Sequence, residues 1–210
     1  HLMAVKGTRD LLGAEADKLA YLQNQLETWA KSKGFTRFIP SLLAPLSQFA
    51  GRMDDNRMYE FKDRAGRNLV LIPEVTEIVR GLYNSNWSRE LPKPVKLFYT
   101  SKVFRYDNPQ RGRFREFTQF GVEILGGPKN EAKDLLAQAL EHCGLNIKVN
   151  EVKRGLEYYD GNGYEAWGGG LQLAGGGPYL EGEGFAIGLE RLDIALEEEF
   201  NKSLEEKSYE

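Results

Sequence analysis

The sequence predicts an α+β fold, a mostly antiparallel sheet of six or seven strands with helices packed against it. Two observations carry this expectation. Helical periodicity appears near the beginning, middle and end of the chain, and the strand-like runs between come in tandem, separated by turn residues. A doubly wound parallel sheet would need strands and helices to alternate regularly, which they do not.

Leu19, Leu22, Leu26, Trp29 and Ala30 recur at steps of three or four, so residues 14–33 read as an amphipathic helix ended by Gly34. Residues 35–40 have strand composition. Residues 59–62 and 68–72 form a short hairpin around the turn chemistry of Asp63, Gly66 and Asn68. A short helix over 75–84 and a polar, proline-containing connector follow. Residues 97–107 and 115–125 then flank a loop containing Pro109 and Gly112, which predicts a long antiparallel hairpin. Alternation places Phe104 and Tyr106 opposite Arg105 and Asp107, and Phe120, Val122 and Ile124 opposite Gln119 and Glu123. One face therefore reads as core and the other as a polar site. A helix over 130–143 carries the stripe Ala132, Leu135, Leu136 and Leu140. Strands are expected over 147–153, 163–167, 171–174 and 184–187, and a closing helix over 189–204 with an acidic end.

The 210 residues suit one globular domain, expected over 3–198, with residues 1–2 a cloning remnant and 199–210 an acidic, solvated tail. A formal net charge of -3 gives no global attraction to nucleic acid, so any RNA contact would be local. The single cysteine, Cys143, excludes an intrachain disulfide and points to a reducing, cytoplasmic setting. No apolar run approaches the roughly 20 residues needed to span a bilayer. The glycine-rich stretches 168–170 and 174–179 are not followed by Lys-Ser or Lys-Thr and so are not a Walker motif.

Chemistry concentrates in FRYDNPQRGRFREF, residues 104–117, where Arg105, Arg111, Arg113 and Arg115 crowd a hairpin and its tip. Planar guanidinium groups bind phosphate oxygens through paired hydrogen bonds, and Phe117 could stack on a base. This segment resembles motif 2 of the class II aminoacyl-tRNA synthetases, and its continuation FTQFGVE is similar to the histidyl-tRNA synthetase version. Four further segments match in order: KGTRDLL at 6–12, IPEVT at 72–76, RGLEYYDG at 154–161 and GFAIGLERL at 184–192, the last resembling motif 3.

The resemblance implies a class II synthetase-like antiparallel sheet flanked by helices, and activation of histidine by ATP with Mg2+. By resemblance, Arg105 holds the α-phosphate, Arg113 and Arg191 hold the outer phosphates, and Phe117 and Arg191 sandwich the adenine, with Asp107 in the adenine-recognition position. Arg154 would place a second catalytic cation beside the carboxylate and α-phosphate. Glu74, Thr76 and Gln119 would receive the α-amino group, and Glu123 with Tyr159 the imidazole. Residues 168–170 and 174–179 would line the floor of the histidine pocket. The family also implies a homodimer, with 35–40, Leu42, Leu43 and Leu46 resembling its interface segment.

The chain departs from the family pattern at several places. Asp107 and Asn108 stand where Glu and Arg are usual, and AGGGPY lacks the Arg-Tyr-Asp that many relatives carry. About 31 positions separate Glu123 from Arg154, too few for a helical insertion domain, and no anticodon-binding domain follows residue 192. The resemblance thus implies tRNA(His) as only a weakly held partner. An alternative is a catalytically silent histidine sensor similar to the regulatory subunit of ATP phosphoribosyltransferase. A third is an RNA-binding fragment, against which the acidic balance counts.

Overall fold

The computed structural model describes residues 4–153 and 162–208. Helix α1 (Ala14–Ser32) begins after Gly13, whose positive φ of 67° admits the sharp entry, and buries Leu22, Leu26, Trp29 and Ala30 on one stripe. Strands β1 (Thr36–Arg37) and β2 (Leu43–Pro45) follow, then a hairpin of β3 (Tyr59–Lys62) and β4 (Asn68–Leu71). Helix α2 (Thr76–Leu82) runs through a π-turn over Tyr83–Trp87 into the short α3 (Ser88–Glu90). Strands β5 (Val95–Phe104) and β6 (Glu116–Leu125) make the long hairpin, and α4 (Ala132–His142) and β7 (Val149–Val152) come next. Strands β8 (Gly163–Gly168), β9 (Leu171–Tyr179) and β10 (Gly182–Gly188) lead into α5 (Leu189–Ser208).

Seven strands form one sheet in the order β1-β5-β6-β10-β9-β8-β7, and β2-β4-β3 form a smaller one. Only β1 runs parallel to its neighbour, β5; the other pairs in the large sheet are antiparallel. The α+β expectation therefore holds.

Two apolar layers cover the two faces of the large sheet. On one, Phe98, Phe120, Val122, Ile124, Phe185 and Ile187 pack beneath α1, α4 and α5. On the other, Val95, Leu97, Tyr99, Val103, Leu125 and Tyr179 pack against the small sheet and α2. The second face is therefore not a uniformly polar site, contrary to the alternation argument. It is apolar wherever the small sheet covers it, and polar groups survive only in the gap between. Each fully buried large side chain contributes about 1.5–3 kcal/mol, so both layers hold the site walls rigid.

Several boundaries differ from expectation. The strand expected over 35–40 shrinks to two residues: Thr36 and Arg37 pair in register with Leu97 and Phe98 of β5, and the chain leaves the sheet after the Phe38 N–H bonds to the Phe98 carbonyl at 2.8 Å. Strand β5 stops at Phe104, so Tyr106 is not core: it is 53% exposed and rests edge-on against Tyr59. Strand β9 runs five residues beyond the expected 174, through the glycines, because Gly175, Gly176 and Gly177 pair with β10. Gly168 ends β8, and Gly169 and Gly170, at φ 59° and 74°, form the turn into β9; none of the three lines the cleft described below. Helix α5 continues to Ser208 with its last turns solvent-exposed. No helix among the described residues is long and apolar enough to cross a membrane. Cys143 is half-buried just after α4, and burial pushes its thiol up to about 11, which leaves it unreactive.

Candidate functional site

An open cleft of about 640 Å³, counted to its mouth, lies on the large sheet between the β5–β6 loop, β9, β10 and the start of α5. It brings together Arg105, Asp107, Arg113, Phe117, Gln119 and Arg191, six of the residues singled out in the sequence. The β5–β6 loop is tied across its tip by reciprocal backbone bonds between Gln110 and Arg113, of 3.1 and 2.8 Å. Gly112, at φ 71°, lets the tip lie against Leu171.

Arg105 leaves the end of β5 with its Nε donating to the Pro73 carbonyl at 2.9 Å, and its guanidinium lies 5.3 Å from the centre of the Phe117 ring. Arg191 comes from the first turn of α5. Its Nε donates to the Gly112 carbonyl at 2.7 Å and its Nη1 to the Gln172 carbonyl at 2.8 Å, so one side chain links the loop tip to β9. Burial, then the nearby charge of Arg113, lowers its pKa from the ordinary arginine value. A cation partly stripped of water beside another cation gains from the arrival of a polyanion.

Asp107 lines the cleft, but its carboxylate is held by Arg57 in a two-pronged ion pair of 2.9 and 3.1 Å. The Arg57 hydrogen bond holds it below the usual carboxylate range. Arg115 turns away from the cleft. Its Nε donates to the Asp107 carbonyl at 3.0 Å, its guanidinium lies 4.1 Å from the Tyr106 ring centre, and its stem lies against Gly7. Arg111 is also outside, bonded to the Gly169 carbonyl and the Glu198 carboxylate.

A second, buried group of polar residues lies along the same sheet face. Glu123, four residues beyond Gln119 on β6, is fully buried. Its Oε1 accepts from the Thr76 hydroxyl at 2.7 Å and its Oε2 from the Tyr179 hydroxyl at 2.6 Å; Tyr99 reaches Oε1 at 3.4 Å. Two glycines make room. A Cβ on Gly184 would lie 2.1 Å from Glu123 Oε2, and one on Gly121 would lie 2.3 Å from the Tyr99 ring. Burial pushes Glu123 up to about 8, although the Tyr179, Thr76 and Tyr99 hydroxyls pull it back.

Glu74 accepts from the Glu77 backbone N–H at 3.0 Å and so caps the start of α2. Burial pushes it up to about 7, while that backbone bond and the Arg105 charge oppose the rise. A pair of buried, proton-holding carboxyls suits a cationic or N–H-bearing ligand, whose binding would ionise them. Neither Glu74, Thr76 nor Glu123 lines the open cleft, so the two groups are adjacent but distinct. Arg154 and Tyr159 lie outside the described residues.

The model of the family described as Histidyl-tRNA synthetase matches residues 7–153. The chain belongs to the histidyl-tRNA synthetase family. Among curated members, the histidine–tRNA ligase of Saccharolobus solfataricus is 36% identical over 159 residues, covering 70% of this chain and 37% of that protein. The one from Sulfolobus acidocaldarius is 36% identical over 160 residues with the same coverage. The chain thus spans about 37% of the length of the curated relatives it matches.

Among solved structures, apo histidyl-tRNA synthetase from S. aureus superposes with TM-score 0.76 at 27% identity, over 93% of this chain and 70% of that one. A Bacillus halodurans protein described as an ATP phosphoribosyltransferase regulatory subunit/histidyl-tRNA synthetase gives TM-score 0.79 at 17% identity, over 92% and 82%; it shows the shared fold. This is the class II catalytic-domain architecture of the histidyl-tRNA synthetase family, including its mostly antiparallel seven-stranded sheet.

Three contacting residues escaped the sequence reading of the family motifs. Glu190 holds the Thr118 backbone N–H at 2.8 Å at the cleft wall, Arg57 binds Asp107, and Tyr179 binds Glu123. Tyr179 stood in the quoted AGGGPY segment. The register of β9 on β10 and of β10 on β6 brings its hydroxyl to Glu123.

Proposed function

We propose that this chain activates histidine with ATP, forming histidyl-adenylate and pyrophosphate. The observation that carries the reading is the convergence of Arg105, Arg113, Phe117 and Arg191 on one cleft, directly beside the buried Glu74, Thr76 and Glu123 group on the same sheet face. The histidine carboxylate oxygen would attack the α-phosphorus, and the bond from that phosphorus to the pyrophosphate oxygen would break. Negative charge then grows on non-bridging oxygens and on the leaving group, where fixed cations in a partly dry cleft are most effective.

In this reading Arg105 holds the α-phosphate, Arg113 and Arg191 hold the outer phosphates, and Phe117 with Arg191 covers the two faces of adenine. Asp107 contributes to the adenine end while remaining paired with Arg57. Arg154 adds its cation at the carboxylate and α-phosphate in this reading. Glu74, Thr76 and Gln119 receive the ammonium group, and Glu123 and Tyr159 the imidazole. Mg2+ entering with the triphosphate would neutralise charge on its outer oxygens. Such an ion needs one or two carboxylates besides phosphate oxygens, and Glu190 in the cleft wall has that donor chemistry.

A histidine sensor without chemistry would not require a triphosphate cleft, and the retained arginine set favours activation. The deciding experiment is histidine-dependent exchange of labelled pyrophosphate into ATP. Exchange with histidine and not with other amino acids is expected. Tight histidine binding with no exchange would overturn the enzymatic reading in favour of the sensor. Transfer to tRNA(His) in the cytoplasm is the further step of this proposal, and direct aminoacylation with purified tRNA tests it.

A further inference from the structure

Glu123 offers about four lone-pair positions when ionised, and three are already engaged by the hydroxyls of Thr76, Tyr99 and Tyr179. Tyr179, itself fully buried at the end of β9, makes the shortest of these contacts, at 2.6 Å. It is clamped from behind. The Arg80 guanidinium lies 5.6 Å from the Tyr179 ring centre, and Arg80 is bound by Glu77 at 2.6 Å and by Glu181 at 2.7 Å. Glu181 stands in the β9–β10 turn two residues after Tyr179, and Asn84 also donates to it, at 2.6 Å. The turn that follows Tyr179 is thereby anchored to α2 and the π-turn.

We infer that Tyr179 is a positioning residue for amino-acid selection: held by the Arg80–Glu181 ion pair, its phenol fixes the Glu123 carboxylate so that one acceptor position is left for an imidazole N–H. The inference rests on the histidine-activation reading and deepens it. Without the phenol, Oε2 would lose its strongest partner, and the carboxyl could retain its proton or turn its acceptor edge away from the ligand. The groups around Glu123 all bear on this balance. Glu74 beside α2 opposes its ionisation, and Glu77 acts on Glu74, raising it in turn. Tyr99 from β5 and Thr76 from α2 favour it by donating, Arg105 acts mainly on Glu74, and Gly184 from β10 presents no side chain.

The test compares the parent with Tyr179→Phe. One readout is the pH profile of kcat/KM for histidine in pyrophosphate exchange. The other is an isotope-edited infrared titration of the Glu123 carboxyl without substrates. Losing one hydrogen bond to a charged group should move both the acid limb and the carboxyl titration upward by about one pH unit, with the KM for ATP unchanged. Glu181→Gln, which loosens the clamp at the turn, should move them the same way by less, and it carries the test if Tyr179→Phe does not fold. Unmoved titration of Glu123, or equal losses for histidine and ATP with an unchanged pH profile, would overturn the inference. If the parent shows no histidine-dependent exchange, the activation reading fails, whereas the infrared titration still decides whether Tyr179 controls Glu123.

Discussion

Glu123→Gln changes one atom and almost no volume, yet it should alter both stability and selectivity. The carboxyl is raised from an ordinary 4.5 to about 8 by burial. Its contribution to stability is therefore fully present below about pH 4.5 and is lost as the pH rises through about 8, because the unfolded chain releases this proton first. At about 1.4 kcal/mol per pH unit, moving from pH 6 to pH 8 removes roughly 2–3 kcal/mol from the parent through this single group. The neutral amide pays no such cost. For a chain of this size the difference corresponds to roughly 5–10 °C in Tm. Thermal unfolding of both proteins from pH 5 to 9 should show the parent declining more steeply up to about pH 8, with the variant gaining on it over that range and the difference levelling off above it. Histidine-dependent exchange should meanwhile fall about 10- to 1000-fold, since an amide cannot offer the ionised acceptor. ATP affinity should barely change. Parallel stability curves would refute the claim that Glu123 is a buried proton holder, and unchanged histidine exchange would remove it from the pocket.

Arg105→Ala should lower adenylate formation by about 100-fold or more, on the order of 3 kcal/mol, while histidine binding measured by calorimetry changes much less; equal losses would mark Arg105 as structural. Arg115→Ala should do the reverse. It removes the donor to the Asp107 carbonyl and the packing against Tyr106 and Gly7, so unfolding should become easier by roughly 1–3 kcal/mol in a denaturant titration, with a smaller effect on ATP affinity than Arg105→Ala. Ile39, Leu42 and Leu43 are 77%, 39% and 50% exposed in the single chain, as a homodimer through this segment requires. Light scattering should give a dimer at micromolar concentration, and a monomer there would remove the expectation.

Local patterning carried the fold a long way. The stripes of α1 and α4, the turn residues between β3 and β4, and the alternation of β6 are properties of adjacent residues, so periodicity alone exposes them. The motif residues were also legible, because Arg105, Asp107, Arg113, Phe117 and Gln119 lie within a single hairpin, and Arg191 just after β10. Arg115 shows the limit of that signal. It sits in the same arginine cluster, yet the backbone at the end of the hairpin turns it towards Tyr106 and the Asp107 carbonyl.

The sequence by itself determined the helical stripes, the hairpins, the α+β class and the family motifs, since each is written in residues close along the chain. Tertiary structure alone decided which of those residues share an environment. Glu123 meets Thr76 across 47 positions and Tyr179 across 56, and Arg80 meets Glu181 across 101. The elevated pKa of Glu123 exists only because β6, β9 and α2 close around it and exclude water. A charge's hydration and its distant partners have no local signature, so the division between an open arginine-lined cleft and a sealed, hydroxyl-bound carboxylate had to come from the packed sheet.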